Sequence, residues 1–120
     1  MSLRYAILHH TGVADPHYDL MFETYSGSDL ATWRSAVWPI GGDAVTVLTR
    51  IKDHRRAYLD FTGEISGRRG RVDQVAAGQC EVEVGPDGRW AVRFQTGTSP
   101  ATLHLRPVGD QTWEAESTVP

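Results

Sequence analysis

The 120-residue sequence has one cysteine, Cys80, and one lysine, Lys52. A single thiol rules out an intramolecular disulfide and any zinc site built on cysteines. With no cysteine framework, the expected compartment is a reducing one, and the expected location is the cytoplasm. No stretch approaches the roughly 18 consecutive apolar residues of a membrane-spanning helix, and no signal-peptide pattern opens the chain. No membrane partner is expected. Internal repeats, low-complexity tails and sustained helical periodicity are also missing. The formal net charge of −3 excludes a uniformly basic coat for nucleic acid.

What is present is the vocabulary of short strands and tight turns. Twelve glycines and six prolines punctuate runs rich in β-branched and alternating residues. Residues 4–8 and 17–23 read as strands joined by a loop in which Pro16 disfavours helix at Asp15. The segment 30–39, with Trp33 and Trp38, is either a strand with aromatic cross-strand pairs or an irregular piece. After the break at Gly41-Gly42-Asp43, residues 44–51 read as a strand. Residues 63–71 form a glycine-punctuated hairpin that lacks the Gly-Lys-Ser/Thr ending of a phosphate-cradling loop. Residues 72–84 supply two strands about a turn at Ala76-Ala77-Gly78, with Cys80 facing the core as an inert thiol. Pro86-Asp87-Gly88 is a hairpin turn, and strands at 89–95, 101–106 and 111–116 complete the chain. His104 alternates outward from Leu103 and Leu105 as a surface histidine. Nine or so short strands in one domain, residues 1–120, predict an all-β fold. A small antiparallel β-barrel with little helix is favoured over a sandwich, because closure leaves no long open edge.

Chemistry concentrates in two places. The stretch 9–23 holds three of the five histidines. As a strand, residues 17–23 put His17, Asp19, Met21 and Glu23 on one face and Tyr18, Leu20 and Phe22 on the other. The first face is read as chemistry and the second as core. A neighbouring strand ending at Leu8 delivers His9 or His10 to the same spot. Two imidazoles and a carboxylate suit an open site for a divalent metal. The alternative is a set of ordinary hydrogen-bonded side chains. The second place is residues 50–71, which carry seven of the twelve basic residues against Asp53, Asp60 and Glu64. That is either a focused anion site or a solvated basic hairpin. Within it, His54 and Tyr58 share a face if the chain is extended and are neighbours if it turns as a helix. The bland alternative is an exposed loop, then a strand burying Leu59 and Phe61.

Three pieces of this sequence resemble the 3′-phosphoesterase domain of bacterial DNA ligase D and its short stand-alone relatives. They are His10 followed by His17-Tyr18-Asp19-Leu20-Met21-Phe22-Glu23, the step Leu30-Ala31-Thr32-Trp33-Arg34 before Trp38-Pro39, and the long gap-free run from Asp53-His54 through Tyr58, Asp60-Phe61 and Gly63 to Ile65. The resemblance covers about residues 4–83. It implies a compact β-barrel that uses a divalent metal, typically manganese, with zinc or cobalt as alternatives. Such domains trim 3′ ends of DNA for repair by removing a terminal ribonucleoside and then the 3′-phosphate. Carried over by position, His10, His17 and Asp19 would hold the metal. His9 is an alternative first ligand, because the loop to His17 is longer here than in the ligase domains. His54 would contact the scissile phosphate, with Tyr58 beside it. A His54 imidazolium can donate a proton to the leaving oxygen or act as an electrostatic clamp.

The resemblance has gaps. The family's arginine two residues after the metal-binding aspartate is Met21 here, Ile40 stands where a lysine follows the Trp-Pro step, and only Arg50 can replace an arginine before Asp53-His54. Arg34, Arg55 and Arg56 are the candidate substitutes for phosphate binding, a task to which a forked guanidinium is suited. Three functions stay open. The chain is a phosphoesterase on 3′ ends of DNA, with or without a terminal ribonucleotide. Alternatively it is a weak or silent relative that binds phosphorylated ends or a repair protein. The third reading is a phosphoesterase on a small phosphorylated metabolite.

Overall fold

Strand alternation, with few residues able to sustain a helix, gives nine strands and one turn of 3-10 helix in the computed structural model, which describes residues 2–41 and 44–119. The strands are β1 (Leu3–Thr11), β2 (His17–Glu23), β3 (Leu30–Ser35), β4 (Thr46–His54), β5 (Gly63–Glu64), β6 (Arg71–Val84), β7 (Trp90–Phe94), β8 (Thr102–Pro107) and β9 (Thr112–Thr118). They pair antiparallel in the order β1-β2-β3-β4-β9-β8-β7-β6, and β6 closes back on β1. The result is an eight-stranded antiparallel β-barrel, with β5 added on β6 as an extra strand. Closure pairs the long edges, as expected from the sequence. Of the glycine break at 41–43, residues 42 and 43 lie outside the described residues. Among the described residues no helix is long and apolar enough to cross a membrane.

The inward row of each strand fills the barrel. Tyr5, Ile7, Leu20, Phe22, Trp33, Leu48, Val92 and Leu105 lie there, all but excluded from solvent. Trp33 is the centre, meeting Trp90 and Trp113 edge to face at ring separations of 4.9 and 5.2 Å. Arg50 covers the Trp33 ring with its guanidinium 4.8 Å from the centroid, which commits this arginine to structure. Cys80 is buried among these side chains as expected, and desolvation, followed by the charge of Glu23, pushes its thiol up to about 12.

Two strand readings are corrected. The first strand does not stop at Leu8 but runs through His9 and His10 to Thr11, because β2 and β6 flank and pair both histidines. The small residues Ala76-Ala77-Gly78 are not a turn; β6 passes through them unbroken for 14 residues. They pair with β1, which accompanies β6 from Arg71 to Cys80, and β7 pairs with β6 from Cys80 to Val84. Glycine is needed there because a Cβ on Gly78 would lie 2.5 Å from the Thr96 carbonyl oxygen. Opposite Ile7 and Leu8 the register slips by one residue at Val75. This bulge inverts the alternation, so Val72 packs outside the barrel while Ala76 and Cys80 point in.

A second apolar cluster lies on the outer face of β1 and β2. Ala6, Leu8, Met21, Leu30 and Val72 are covered there by Leu59, with Tyr58, Phe61 and Ile65 at the rim. The cover is the excursion between β4 and β5, whose helical turn Arg56–Leu59 buries Leu59. The sequence expectation of a strand over Leu59 and Phe61 is therefore replaced by a helical turn. Of the two faces of β2, the expected core face is core, with Leu20 and Phe22 in the barrel, while the other carries Met21 in the outer apolar cluster among its polar residues. Both faces are buried, and His17, Asp19, Met21 and Glu23 have 6%, 3%, 0% and 3% of their surface exposed.

Candidate metal centre

Antiparallel register assembles the centre. His10 pairs with His17, and Leu8 with Asp19, so all four side chains stand on the outer face. Arg34 of β3 is directly opposite Asp19, and its side chain is exposed on that same face. At the far end of β4, His54 pairs with Leu30 across a register shift. His9 belongs to the other row. It pairs with Tyr18 and stacks on that ring at 4.4 Å with a tilt of 12°. The alternative first ligand is thus turned away from Asp19 by strand parity.

Each histidine of the centre is held by a backbone carbonyl. His10 Nε2 is 2.8 Å from the Arg69 oxygen, His17 Nδ1 is 2.8 Å from the Asp15 oxygen, and His54 Nδ1 is 3.1 Å from the Lys52 oxygen. A carbonyl only accepts, so that ring nitrogen is the donor in each case. The other nitrogen of each ring faces Asp19. His17 Nε2 lies 3.4 Å from Oδ1, and His10 Nδ1 and His54 Nε2 each lie 3.9 Å from Oδ2. In the neutral tautomer these are lone pairs turned toward a carboxylate. Such an arrangement is repulsive without positive charge among them.

Two atoms at this point, His17 Nε2 and Asp19 Oδ1, are buried with no hydrogen-bond partner. Orphaned buried polar atoms are costly and call for a missing partner. The donor atoms of His10, His17 and Asp19 all lie within 4.8 Å of one another. Two donors about 2.1 Å from a shared ion sit about 3.4 Å apart at a tetrahedral angle, the separation of His17 Nε2 and Asp19 Oδ1, and the wider spread to His10 would have to close on one ion. Two imidazoles and a carboxylate, the imidazoles oriented by hydrogen bonds behind them, are a donor set that could hold a metal ion. His54 adjoins the group only through Asp19. Its ring meets Tyr58 edge to face at 5.6 Å, and the helical turn, not an extended chain, makes the two neighbours.

The arginines fall into two kinds. Arg56 donates to Glu23 Oε2 at 2.8 Å and to the Ser28 carbonyl at 3.0 Å, which ties it to the scaffold. Arg34 and Arg55 are exposed and form no ion pair among the described residues, and Arg34 stands across from Asp19. Glu23 had no role in the sequence reading. It also accepts the Arg4 and Gly27 N–H groups, at 2.6 and 3.0 Å. Burial pushes its carboxyl up, but these bonds and the Arg56 charge outweigh that and hold it below the ordinary value of 4.5. Its place in the same alternating row as His17 and Asp19 was the available signal. The three carbonyls that orient the histidines had none, since any residue supplies a carbonyl.

Met21 stands in the Asp19 row as the alternation predicts, yet it is fully buried under Leu59 as part of the outer apolar cluster. Compared with known proteins, the sequence matches no family model and no curated protein.

Proposed function

We propose that this chain is a metal-dependent phosphoesterase that acts on 3′ ends of DNA, releasing a 3′-phosphate or a terminal ribonucleoside. The observation that supports it most is the convergence of three carbonyl-braced imidazoles on one buried carboxylate, two of whose atoms, His17 Nε2 and Asp19 Oδ1, lack partners. His10, His17 and Asp19 would hold the ion, with manganese as the first choice. When bound, such an ion neutralises charge on a phosphate oxygen and activates water. The chain's own groups then do the rest. Arg34, across from Asp19, and Arg55 supply forked donors to the phosphate. His54 faces the same place with its Nε2 edge, positioned to hold the phosphate or give a proton to the leaving oxygen. Tyr58 backs its ring. The resemblance to the DNA ligase D phosphoesterase supports the choice of substrate, and a repair partner at such ends follows from it.

The test is release of phosphate from a primer–template bearing a 3′-phosphate, with manganese and after metal stripping. Manganese-dependent release, reduced about tenfold or more by His54→Ala, is the expected result. No release with metal bound would reject catalysis on this substrate. One observation favours a second reading, a silent relative that binds phosphorylated ends. Met21 is core and Arg56 is tied to Glu23, which leaves few cations at the site. Tight, metal-dependent binding of a 3′-phosphorylated end without turnover would establish that reading instead.

A further inference from the structure

Behind His10 lies a groove of about 530 Å³, running between Gly12 and the hairpin of residues 64–71. Its volume falls within the range of about 300–1,000 Å³ typical of ligand pockets. Gly70, on the lining of the groove, lies against the His10 imidazole of the candidate metal centre. The Nδ1 edge of that ring faces Asp19, and its Nε2 edge is bonded to the Arg69 carbonyl on the hairpin. The hairpin approaches the ring at a glycine. A Cβ on Gly70 would lie 3.1 Å from His10 Nε2, and the backbone there has φ +86°. On the hairpin the three arginines differ. Arg71 is locked to Asp73 through Nε and Nη2, and Arg69 folds back on Ser66. Arg68 is exposed and makes no ion pair among the described residues. It is also the one described non-glycine residue at positive φ, +58°. Half-buried Ile65 gives the groove an apolar side, and Glu64 is the carboxylate on its lining.

From this placement we infer that the groove is a nucleotide subsite. It takes the nucleotide next to the reacting phosphate, with Arg68 on the neighbouring backbone phosphate and Ile65 against the sugar or base. The inference rests on the phosphoesterase reading and adds to it. A guanidinium on the groove beside His10 would read the presence of a polynucleotide strand, which a small phosphorylated metabolite does not have. The chain thereby prefers strand ends to mononucleotides, despite its net negative charge.

Calorimetric titration of the manganese-loaded protein tests this with two probes. One is thymidine carrying a 3′-methylenephosphonate, which resists hydrolysis; the other is the thymidine dinucleotide with the same terminus. The dinucleotide should bind about tenfold more tightly, the scale of one charge-assisted contact. Arg68→Glu should abolish that gain and leave the mononucleotide unaffected. Arg68→Gly relieves the positive φ and so keeps the hairpin folded; it should also lose most of the gain and lower the salt slope by about one phosphate contact. A gain that survives both substitutions, or no gain in the wild type, overturns the subsite and leaves the phosphoesterase reading intact. If neither probe binds, the phosphoesterase reading fails and the subsite falls with it.

Discussion

The two apolar clusters of this protein share strands β1 and β2 but are built on different terms. The inner one is closed by the barrel and is almost wholly apolar, its largest member being Trp33. The outer one is thin, covered by a single helical turn, and bounded by polar groups at both ends of its strand row. At one end stand His10, His17 and Asp19; at the other, Glu23 gathers Arg56 and the Arg4 and Gly27 N–H groups. The difference teaches where a small barrel can place reactive groups. The interior is filled by side chains, so the buried polar row stands on the outside of the barrel, on the face that the helical turn covers.

Substitutions can break that comparison at either cluster. The largest effect is expected in the barrel, where Trp33→Ala should cost about 3–5 kcal/mol by denaturant unfolding, as for other aromatic truncations. It should leave metal affinity of the folded fraction unchanged, and loss of metal binding would show that the clusters are one unit. Met21→Arg follows. It puts a guanidinium beneath Leu59, and an uncompensated buried charge should cost about 3 kcal/mol or more. If the variant is instead as stable as wild type and faster on 3′-phosphate ends, the outer cluster is not a core but a malleable part of the site.

Glu23→Gln comes next, at about 1.5–3 kcal/mol, the worth of hydrogen bonds to a charged group. Water at the open side of Arg56 keeps the loss below that of a fully buried pair. Its signature is in pH. A carboxyl held below 4.5 in the folded state contributes its stability fully above that value and loses it as pH falls through the lowered folded value. Unfolding curves for wild type and Glu23→Gln should therefore converge on acidification, and parallel curves would contradict the assignment.

Smaller changes in stability test the centre. Manganese at about one hundred times its dissociation constant should stabilise wild type by about 2.7 kcal/mol. His10→Ala should remove most of that shift, while His9→Ala, which loses only stacking on Tyr18, should keep it. Equal shifts in both variants would discard the assignment of His10. The smallest effect concerns Cys80, whose buried thiol is raised to about 12. It should stay unreactive to thiol reagents at neutral pH until the barrel unfolds. Fast labelling of the native protein would mean that the barrel opens near the middle of β6.

The sequence by itself determined the fold class, because alternation and turn residues are local signals that need no partner to be read. It also brought His17 and Asp19 to one face and named His10, His54 and the arginines nearby. Tertiary structure decided the rest. Whether His9 or His10 faces Asp19 depends on how far β1 continues, and β2 and β6 set that by pairing with it. Whether Ala76-Ala77-Gly78 turns or runs straight depends on β1, which pairs with all three residues. Arg56 and Arg34 look alike in the sequence, but Glu23 engages the first, and register sets the second across from Asp19. The burial of both faces of β2 comes from a segment more than 30 residues away folding over it. Such long-range cover leaves no mark in the alternation of the strand it covers, since alternation records only which side each residue takes.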